Sequence, residues 1–430
     1  MDIGISRDGN VRTVAKGDLT NVEALASFLI DTPPTLQRSQ AVYTDAEGSV
    51  RITQIAETTS GTKYVVYALH ATNIGGSTIN DFRIGAYTDW EAAESSEEDR
   101  ARYDSLTDTA FQFENAGGLH LGISSPQPST AHHLAVCCDD ASAVLNAPNN
   151  INTIGVEDVT VSLAWNLGSL APAETKTVHL ILAAGTNLDD LNSEIADAKG
   201  SLLGTIGGKK FHDLNANGID DNEPGLEGWT INLSGQSTAS VVTGPGGFYQ
   251  FTGLLPGTYL VCERLTDQPN FIQSSPTSGE DCTGVDEAPT GYLVELQSGQ
   301  PVTGINFGNF KNATAEGDKF EDIDADGIRD LDDPLVSGIR LTLSGNDGMG
   351  NAVNVTANTD DNGHYKFEVK PGSYTICEDL LSSPNGAEFF QSFPSTDANC
   401  SATAPKGYQL NPQSGDSITG KDFGNYKNAT

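Results

Sequence analysis

The strongest constraint on the fold is a short segment that occurs twice in the second half of the chain. GKKFHDLNANG, which begins at Gly208, returns as GDKFEDIDADG from Gly317. Each copy places a lysine in a short alternating stretch and follows it with a loop of Asp and Asn residues around one glycine. Alternation predicts a strand, and the polar run with glycine predicts a tight turn after it. The second half is therefore expected to contain two copies of one β module.

The signals that follow this segment recur in the same order in both copies, which sets the module boundaries. GWTINLSG matches GIRLTLSG, PGTYLVCE matches PGSYTICE, and NFGNF matches DFGNY. Strand patterns about ten residues apart, separated by turn residues, are typical of sandwich folds. We expect two immunoglobulin-like or prealbumin-like β-sandwich modules, over residues 205–311 and 315–427. The predicted fold class is all-β and multidomain.

Residues 1–200 lack these repeats and are expected to form a separate β-sandwich that serves display or assembly. Segments such as TKYVVYALHATNIG and VTVSLAWNL have the alternation and β-branched content of strands. One helix is predicted over 188–199, because apolar residues recur there at helical spacing. Asn187 is the expected N-cap, and Gly200 is the expected end of this helix.

The chain is strongly acidic, with 23 Lys and Arg residues against 58 Asp and Glu residues and a net charge of -35. Nucleic acids and anionic membranes are bound through basic surfaces, so neither is an expected partner. No apolar run reaches the roughly 18 residues of a membrane-spanning helix, so we expect no direct membrane insertion. The acidity suits a medium in which Ca²⁺ or salt screens self-repulsion.

Four of the six cysteines occupy matching places in the two repeats. Their positions predict one disulfide in each module, Cys262–Cys282 and Cys377–Cys400. This arrangement implies an oxidising, extracellular compartment. Four buried thiols would give the same pattern, so that alternative stays open.

The other two cysteines are adjacent in the run HHLAVCCDD. A vicinal disulfide Cys137–Cys138 and a bridge to another chain are both compatible with an oxidising compartment. A metal site with His132 and His133 requires a bend, because alternate residues of a strand point to opposite faces. Inert thiols are the remaining alternative.

Both repeats resemble the B-type modules of Gram-positive surface adhesins, namely the collagen-adhesin B-type and serine-aspartate-repeat-protein B-type domains. The resemblance is carried by KKFHDLNANGIDDNEPGLEGWTINL, GFYQFTGLLPGTYLVCE and FGNF, with their partners in the second copy. It covers the second half of the chain only. Because such modules form stalks of surface proteins and pili, the resemblance implies an extracellular structural role.

The Asp/Asn loops of both repeats follow the EF-hand loop pattern, in which oxygen ligands alternate and a glycine permits the turn. We predict one Ca²⁺ in each loop, without EF-hand helices, although a polar turn without an ion would have a similar sequence. Ile219 and Ile328 are expected to offer carbonyl oxygens, and the Ile328 side chain is expected to stay in the core. The second loop has Asp333 at position 12 in place of the bidentate Glu, so weaker binding than in an EF-hand is expected. In the first loop the acid comes one position early, at Glu223, and Pro224 holds position 12, so incomplete occupancy is expected there. The predicted ligands are Asp213, Asn215, Asn217, Ile219, Asp221 and Glu223 in the first loop, and Asp322, Asp324, Asp326, Ile328, Asp330 and Asp333 in the second.

The resemblance also implies an isopeptide bond, because in adhesin B-type modules a lysine of the first strand can join an Asn or Asp of the last strand with help from a glutamate. Burial would lower the lysine pKa and raise the glutamate pKa, which favours attack by a neutral amine. A buried ion pair with an asparagine partner would have the same sequence. The matching residues are Lys210, Glu263 and Asn309 in the first module and Lys319, Glu378 and Asn425 in the second.

These features predict a non-enzymatic stalk or filament subunit whose partners are other copies of itself, another surface protein or a glycan. Neither a GxSxG nucleophile elbow nor an HExxH zinc motif is present. One alternative is an N-terminal domain that binds a glycan or other ligand through Tyr87, Trp90 and Tyr103. The other is the accessory region of a larger secreted hydrolase.

Overall fold

The computed structural model divides the chain into two compact units, Met1–Leu203 and Gly204–Thr430. Each unit is built from strands, as the all-β prediction requires. The structure describes residues 2–13, 28–30, 36–45, 47–90, 99–114, 118–136, 141–146, 149–266, 268–282, 290–384, 386–400 and 405–428.

The N-terminal unit contains fourteen described strands and two described helices. The helices are α1 (Ala141–Asn146) and α2 (Leu188–Leu202). The strands are β1 (Asp2–Arg7), β2 (Asn10–Thr13), β3 (Phe28–Ile30), β4 (Leu36–Thr44), β5 (Val50–Thr59), β6 (Tyr64–Asn73), β7 (Ile79–Thr88), β8 (Asp99–Asp104), β9 (Thr109–Glu114), β10 (His120–Ser124), β11 (Ala131–Val136), β12 (Thr153–Ile154), β13 (Val159–Leu170) and β14 (Thr175–Gly185).

These strands form two sheets that enclose one apolar core. The smaller sheet has the order β11-β13-β7-β1-β2, and the larger has the order β12-β8-β9-β10-β14-β6-β5-β4-β3. Alternate residues of the strands point into the space between the sheets, so Ile84 and Leu163 from one sheet meet Leu69 and Leu180 from the other. The predicted N-terminal β-sandwich is therefore confirmed.

Helix α2 covers the outer face of the larger sheet through the apolar stripe that its sequence spacing predicts. Leu191 and Ile195 are buried on it, and they pack against sheet residues such as Ile181. Asn187 caps the helix by accepting a hydrogen bond from the Asp190 amide. The expected end at Gly200 is wrong, because the helix continues to Leu202, whose side chain is buried in the same apolar cluster.

The second unit consists of two sandwich modules with the same strand order. In the first module the strands are β15 (Gly204–His212), β16 (Thr230–Gly235), β17 (Ala239–Val242), β18 (Phe248–Leu254), β19 (Gly257–Glu263), β20 (Ile272–Ser275), β21 (Glu280–Asp281), β22 (Thr290–Leu296), β23 (Pro301–Val302) and β24 (Phe307–Phe310). In the second they are β25 (Ala313–Glu321), β26 (Arg340–Asp347), β27 (Ala352–Asn358), β28 (His364–Val369), β29 (Gly372–Glu378), β30 (Phe389–Phe393), β31 (Ala398–Asn399), β32 (Lys406–Leu410), β33 (Ser417–Ile418) and β34 (Phe423–Lys427).

In each module the first strand lies parallel to the last strand. One sheet has the order β18-β15-β24-β20 in the first module and β28-β25-β34-β30 in the second. The opposing sheet has the order β17-β16-β19-β22-β21 in the first module and β27-β26-β29-β32-β31 in the second. The parallel register pairs Lys210 with Phe307 and His212 with Asn309, and it recurs in the second module. A residue of the first strand and a residue near the C-terminus of the module thus become neighbours.

Apolar side chains of the two sheets form a separate core in each module. Tyr259 and Phe307 belong to the first core, and Tyr374 and Phe423 belong to the second. In the part of the chain that the structure describes, neither helix combines the length and hydrophobicity that a membrane crossing would need. The all-β multidomain fold class predicted from the sequence is confirmed.

Candidate cross-link and cation-loop sites

The first module brings together the three residues that the sequence proposes for a cross-link. Lys210, Glu263 and Asn309 are each 0% exposed. The lysine Nζ lies 3.0 Å from Glu263 Oε2 and donates to Asn309 Oδ1. The Trp229 ring lies 4.2 Å from the same nitrogen, which gives a cation–π contact. The parallel pairing of β15 with β24 produces this convergence of residues almost a module apart in sequence.

The second module repeats the cluster with a different arrangement of the lysine. Lys319 Nζ lies 3.5 Å from Glu378 Oε1. It donates to the main-chain oxygens of Phe320 and Phe423 at 2.8 and 3.1 Å. Asn425 on the adjacent strand is 0% exposed. The two modules therefore hold the same three groups in an enclosed, largely apolar interior.

Burial changes the acidity of both charged partners. It lowers the pKa of Lys210 to about 8, while the charge of Glu263 opposes the change. It also lowers the pKa of Lys319. Burial raises the pKa of Glu263, and it raises that of Glu378 to about 7 against the pull of Lys319. Loss of solvation disfavours each ion, so an amine and a carboxyl group can both be uncharged here.

Lys209, the neighbour of the buried lysine, points the other way and reaches the first loop. Its Nζ lies 2.8 Å from Asp220 Oδ1 and donates to the Glu223 carbonyl at 2.8 Å. The matching positions of the second module carry the opposite charges, Asp318 and Arg329, whose side chains are also 2.8 Å apart. Each module thus tethers its loop to its first strand with an ion pair. These ion pairs are not among the predictions from the sequence, although the exchange of charge between the two copies is visible in the repeat.

In the second loop three carboxylates converge. One oxygen from each of Asp322, Asp324 and Asp326 lies within 4.8 Å of the others. Asp322 is 0% exposed, and its Oδ1 accepts no hydrogen bond from the described residues. A buried carboxylate oxygen without a partner is costly unless a cation or another donor satisfies it. The donor set is all oxygen, which is what Ca²⁺ prefers.

The remaining acids of the second loop lie at its C-terminal end. Asp333 accepts from the Ile323 amide at 3.0 Å and from the Asp330 amide at 2.9 Å. Neighbouring acids and partial desolvation raise the pKa of Asp330. Asp330 and Asp333 therefore close the loop behind the three converging carboxylates.

In the first loop Asp213 is buried and accepts from the amides of Asn217 and Gly218 at 3.1 and 2.8 Å. The side-chain amides of Asn215 and Asn217 donate to Asp221 Oδ2 at 3.2 and 3.3 Å. The backbone of the first loop thus follows a path similar to that of the second loop, and two carboxylates are replaced by carboxamides. Those carboxamides supply oxygen ligands without charge.

Glu223 occupies the place that Asp333 has in the second loop, and the expectation that Pro224 stands there is wrong. Its Oε1 accepts from the Leu214 amide at 2.6 Å, as Asp333 accepts from Ile323. The prolines that follow both accept from the first strand at 2.8 Å. One extra residue in the second loop explains the apparent shift. Glu223 Oε2 is buried without a hydrogen-bond partner among the described residues, and burial raises the pKa of this carboxyl to about 7.

The expectation that Ile328 keeps its side chain in the core is wrong, because this residue is 60% exposed. Ile219, at the matching position of the first loop, is 63% exposed. Both follow the glycine with positive φ that turns the loop, Gly218 at 78° and Gly327 at 78°, so the chain runs along the surface at this point. The Ile219 carbonyl accepts from the Asp221 amide at 3.1 Å. A carbonyl role in cation binding stays a prediction.

The structure contains the two module disulfides that the sequence proposes. Cys262 joins Cys282 and Cys377 joins Cys400, with Cα–Cα distances of 6.1 and 5.8 Å. Each ties the end of a central strand to the segment before the next strand. The proposed Cys137–Cys138 pair lies outside the described residues. His132, from the same run, stacks on Tyr103 with ring centroids 3.8 Å apart and bonds Asn152.

The predicted aromatic stacking surface of the N-terminal unit is not formed. Tyr87 is only 6% exposed and belongs to the interior. Trp90 is half-buried against the core, and Tyr103 is covered by His132. A flat platform for a sugar ring needs exposed aromatic faces, which these three residues do not share.

Comparison with known proteins assigns the second unit to a family. The model of the SdrD B-like domain matches residues 204–308 and 317–419. These two segments are tandem B-type modules, as the sequence resemblance implied. The chain is 34% identical over 177 residues to serine-aspartate repeat-containing protein F of Staphylococcus epidermidis, and 30% identical over 177 residues to serine-aspartate repeat-containing protein D of Staphylococcus aureus strain Newman. Each match covers 40% of this chain, but only 10% and 13% of those proteins.

Solved structures give weaker likenesses. A streptococcal ancillary pilin is 11% identical with a TM-score of 0.23, covering 79% of this chain and 95% of the pilin. A bacterial glucoamylase complexed with acarbose is 12% identical with a TM-score of 0.34, covering 46% of this chain and 28% of the enzyme. Likeness at this level does not bear on what this chain does.

Proposed function

We propose that this chain is a non-enzymatic extracellular structural protein, a stalk or filament subunit that carries the N-terminal sandwich. The observation that carries the proposal is the pair of buried Lys–Glu–Asn clusters, each next to an oxygen-rich loop and each in a disulfide-bonded module. Glu378 is 3% exposed and the other five groups are 0% exposed, so the clusters have no access to a substrate. Their position between the first and last strands suits them to holding a module closed.

The relatives support the extracellular and surface assignment. Over 177 residues the chain is 34% and 30% identical to serine-aspartate repeat-containing proteins of staphylococci, and two segments of it match the SdrD B-like domain. Disulfides persist in oxidising compartments, which agrees with secretion or surface display. The partners that we propose are other copies of the chain, another surface protein or a glycan.

Ca²⁺ is the proposed cofactor of both loops. It would be held by Asp322, Asp324 and Asp326 in the second loop, and by Asp213 and Glu223 in the first. In each loop a buried carboxylate oxygen without a hydrogen-bond partner supports a cation at that position. The ion would supply charge neutralisation, because the loops gather acids in a chain that already carries a net charge of -35.

The proposed cross-link is an amide between Lys210 and Asn309, and between Lys319 and Asn425. The neutral amine attacks the asparagine side-chain carbonyl carbon, a new C–N bond forms, and the original C–N bond of the carboxamide breaks. Ammonia leaves with the proton that the amine loses. The glutamate, whose pKa burial raises, transfers the proton and is regenerated.

Intact mass under non-reducing conditions tests the cross-link. Each bond removes about 17 Da as ammonia, apart from the hydrogens lost in disulfides. Glu263→Gln and Glu378→Gln are the matched variants, since they keep side-chain size but cannot hold and return the proton. We expect each variant to prevent the cross-link in its own module, so that the protein keeps the roughly 17 Da that the wild type loses there as ammonia. An unmodified mass in the wild type would exclude the bond.

Chelation tests the cation. A ligand present at 100 times its dissociation constant stabilises a module by about 2.7 kcal/mol. We therefore expect EDTA to lower the melting temperature of each module by roughly 10 °C, given about 4 °C per kcal/mol for a domain of about 100 residues. Replacement of Ca²⁺ after chelation should restore it. An unchanged melting temperature would contradict the proposal.

A further inference from the structure

The first cation loop lies at the junction between the two modules, and the second does not. Strand β15 runs the length of the first module, so the loop that follows it reaches the end from which the chain leaves for the second module. The Asp213 amide donates to the carbonyl of Asn309 at 3.0 Å, which places the loop beside the last strand of its module.

Two turns of the second module, at Ser414 and at Gly348, contact the first loop. The Ser414 amide donates to the Leu214 carbonyl at 2.8 Å. Ser414 Oγ accepts from the Lys311 amide at 2.7 Å and shares a hydrogen bond of 2.7 Å with His212 Nε2. The other turn brings Gly348 so close to the loop that a Cβ added there would overlap the carbonyl oxygen of Asn215.

One peptide group connects this junction to the proposed cation ligands. The peptide between Leu214 and Asn215 receives the Ser414 amide on its carbonyl oxygen, and its N–H lies 3.4 Å from Glu223 Oε1 as a donor. The amide of Leu214 itself donates to the same carboxylate at 2.6 Å. The orientation of this peptide therefore depends on where Glu223 is held. Hydrogen bonds in such a chain polarise and reinforce one another.

The second loop has no corresponding role among the described residues. Its hydrogen bonds remain inside the second module, as in the 2.8 Å bond from the Asp322 amide to the Asn425 carbonyl and the tether between Arg329 and Asp318. Its exposed side chains include Ile323, Ile328 and Leu331. The two loops are alike in sequence but differ in what they touch.

We propose that a cation in the first loop, and not one in the second, controls the junction between the two modules. The inference rests on the proposed Ca²⁺ binding. An ion that fixes Asp213 and Glu223 would hold the Leu214–Asn215 peptide in the orientation that accepts Ser414. Coupling is reciprocal, so an intact junction would also strengthen cation binding in the first loop.

Hydrogen exchange of the whole chain tests the first half of the inference. The amides of Ser414 and Lys311 report the junction directly, because their partners lie across it or at its centre. We expect Ca²⁺ to slow their exchange in the wild type and in the second-loop variant D322N/D333N. In the first-loop variant D213N/E223Q the protection should be lost. Equal protection in both variants would overturn the inference.

Cation titration of junction variants tests the reciprocal half. Gly348→Val would separate the turn from Asn215, while Gly350→Asn is the control, because a Cβ at Gly350 meets nothing within 4 Å and Asn tolerates its positive φ. With Ca²⁺ as the titrant, we expect Gly348→Val to weaken the first site at least 5-fold and to leave the second unchanged. The control should leave both unchanged.

The outcomes separate this inference from the proposed function. Two Ca²⁺ sites with no effect on the Ser414 and Lys311 amides would overturn the junction role and leave the cofactor assignment standing. Failure of Ca²⁺ to bind either loop would remove both. A first-site affinity that Gly348→Val leaves unaltered would also overturn the junction role.

Discussion

Lys209 and Asp220 form an ion pair 2.8 Å long in the first module, and the same two positions form it with reversed polarity in the second, where Asp318 meets Arg329. A surface contact that happened by chance would not preserve its partners while exchanging their signs. The pair ties the end of the cation loop to the first strand, one residue from the buried lysine. Loop position and lysine position are therefore set together.

The tether predicts a recoverable loss of stability. Lys209→Asp should destabilise the first module by about 1 kcal/mol, since the two side chains are only 16% and 19% exposed and the pair is partly desolvated. The double variant Lys209→Asp with Asp220→Arg copies the second module and should regain most of the loss. Chemical denaturation of the four members of this cycle measures the coupling. Simple additivity of the two single effects would show that the contact contributes nothing.

Truncation of the buried lysine should be far more damaging than truncation of its exposed neighbour. Lys210→Met leaves Glu263 without its cation, which costs about 3–5 kcal/mol for a buried pair. Lys209→Met is the matched control and should cost about 1 kcal/mol. The stabilities of the two variants are compared by measuring the denaturant concentration at the midpoint of unfolding in the same buffer.

Removal of both buried charged groups distinguishes stabilisation by an ion pair from stabilisation by a covalent amide bond. The variant Lys210→Met with Glu263→Leu no longer buries an ion, so it should recover most of the loss where only an ion pair was present. If the amide bond forms, the double variant remains well below the wild type. Intact mass of the same samples identifies which case holds.

The second loop should bind Ca²⁺ more tightly than the first. It offers five side-chain carboxylates, at Asp322, Asp324, Asp326, Asp330 and Asp333, whereas two of the matching positions in the first loop are asparagines. More negative ligands give higher affinity in such loops. Calorimetric titration of Asp213→Asn should retain the tighter site, and titration of Asp322→Asn should retain the weaker one. The opposite order would contradict this prediction.

The N-terminal unit should lose stability in acid because of His179. Burial lowers the pKa of this histidine to about 4, and nearby His70 adds to the effect. The unfolded chain binds the proton near pH 6.5, so stability falls as pH drops from about 7 toward 4. The loss at pH 5 is about 2 kcal/mol by linkage.

His179→Gln removes the titrating group while Gln127, which bonds the ring at 3.2 Å, keeps a polar neighbour. We expect this variant to have a flatter dependence of unfolding free energy on pH between 7 and 5. His120→Gln is a control in the same unit, because it removes a different buried imidazole, one that stacks on Phe113. Calorimetric scans at a series of pH values measure the difference. Equal slopes for wild type and His179→Gln would refute the assignment.

Each disulfide should contribute separately to its own module. Cys262 and Cys282 close a loop with a sequence separation of 20, for which the chain-entropy model gives about 3 kcal/mol. The paired variant Cys262→Ser with Cys282→Ser should therefore lower the stability of the first module and spare the second. Differential scanning calorimetry of the full chain, compared with the equivalent change at Cys377 and Cys400, resolves the two transitions.

The internal repeat made much of the fold of the second unit predictable from the sequence. The two copies exposed the lysine strand, the loop, the cysteines and the last strand as elements that recur together, so the sandwich modules were predictable. The set Lys210, Glu263 and Asn309 was predictable only because the modules also resemble those of surface adhesins. Helix α2 was predictable in its apolar face and its Asn187 cap, because both depend on local spacing. Its end was not, because burial of Leu202 against the sheet outweighed the local preference of Gly200 to stop a helix.

Other features depend on tertiary contacts and were not predictable from the local sequence pattern. The exposure of Ile328 depends on where the loop lies on the module. The equivalence of Glu223 with Asp333 is shown by the matching hydrogen bonds that the two carboxylates accept. The amino-acid sequence by itself determined which groups this protein possesses and the period at which they return, since strand alternation and turn chemistry act over a few residues. Only the fold decided which of the two similar loops faces the neighbouring module, because that contact joins residues about two hundred positions apart, Leu214 and Ser414.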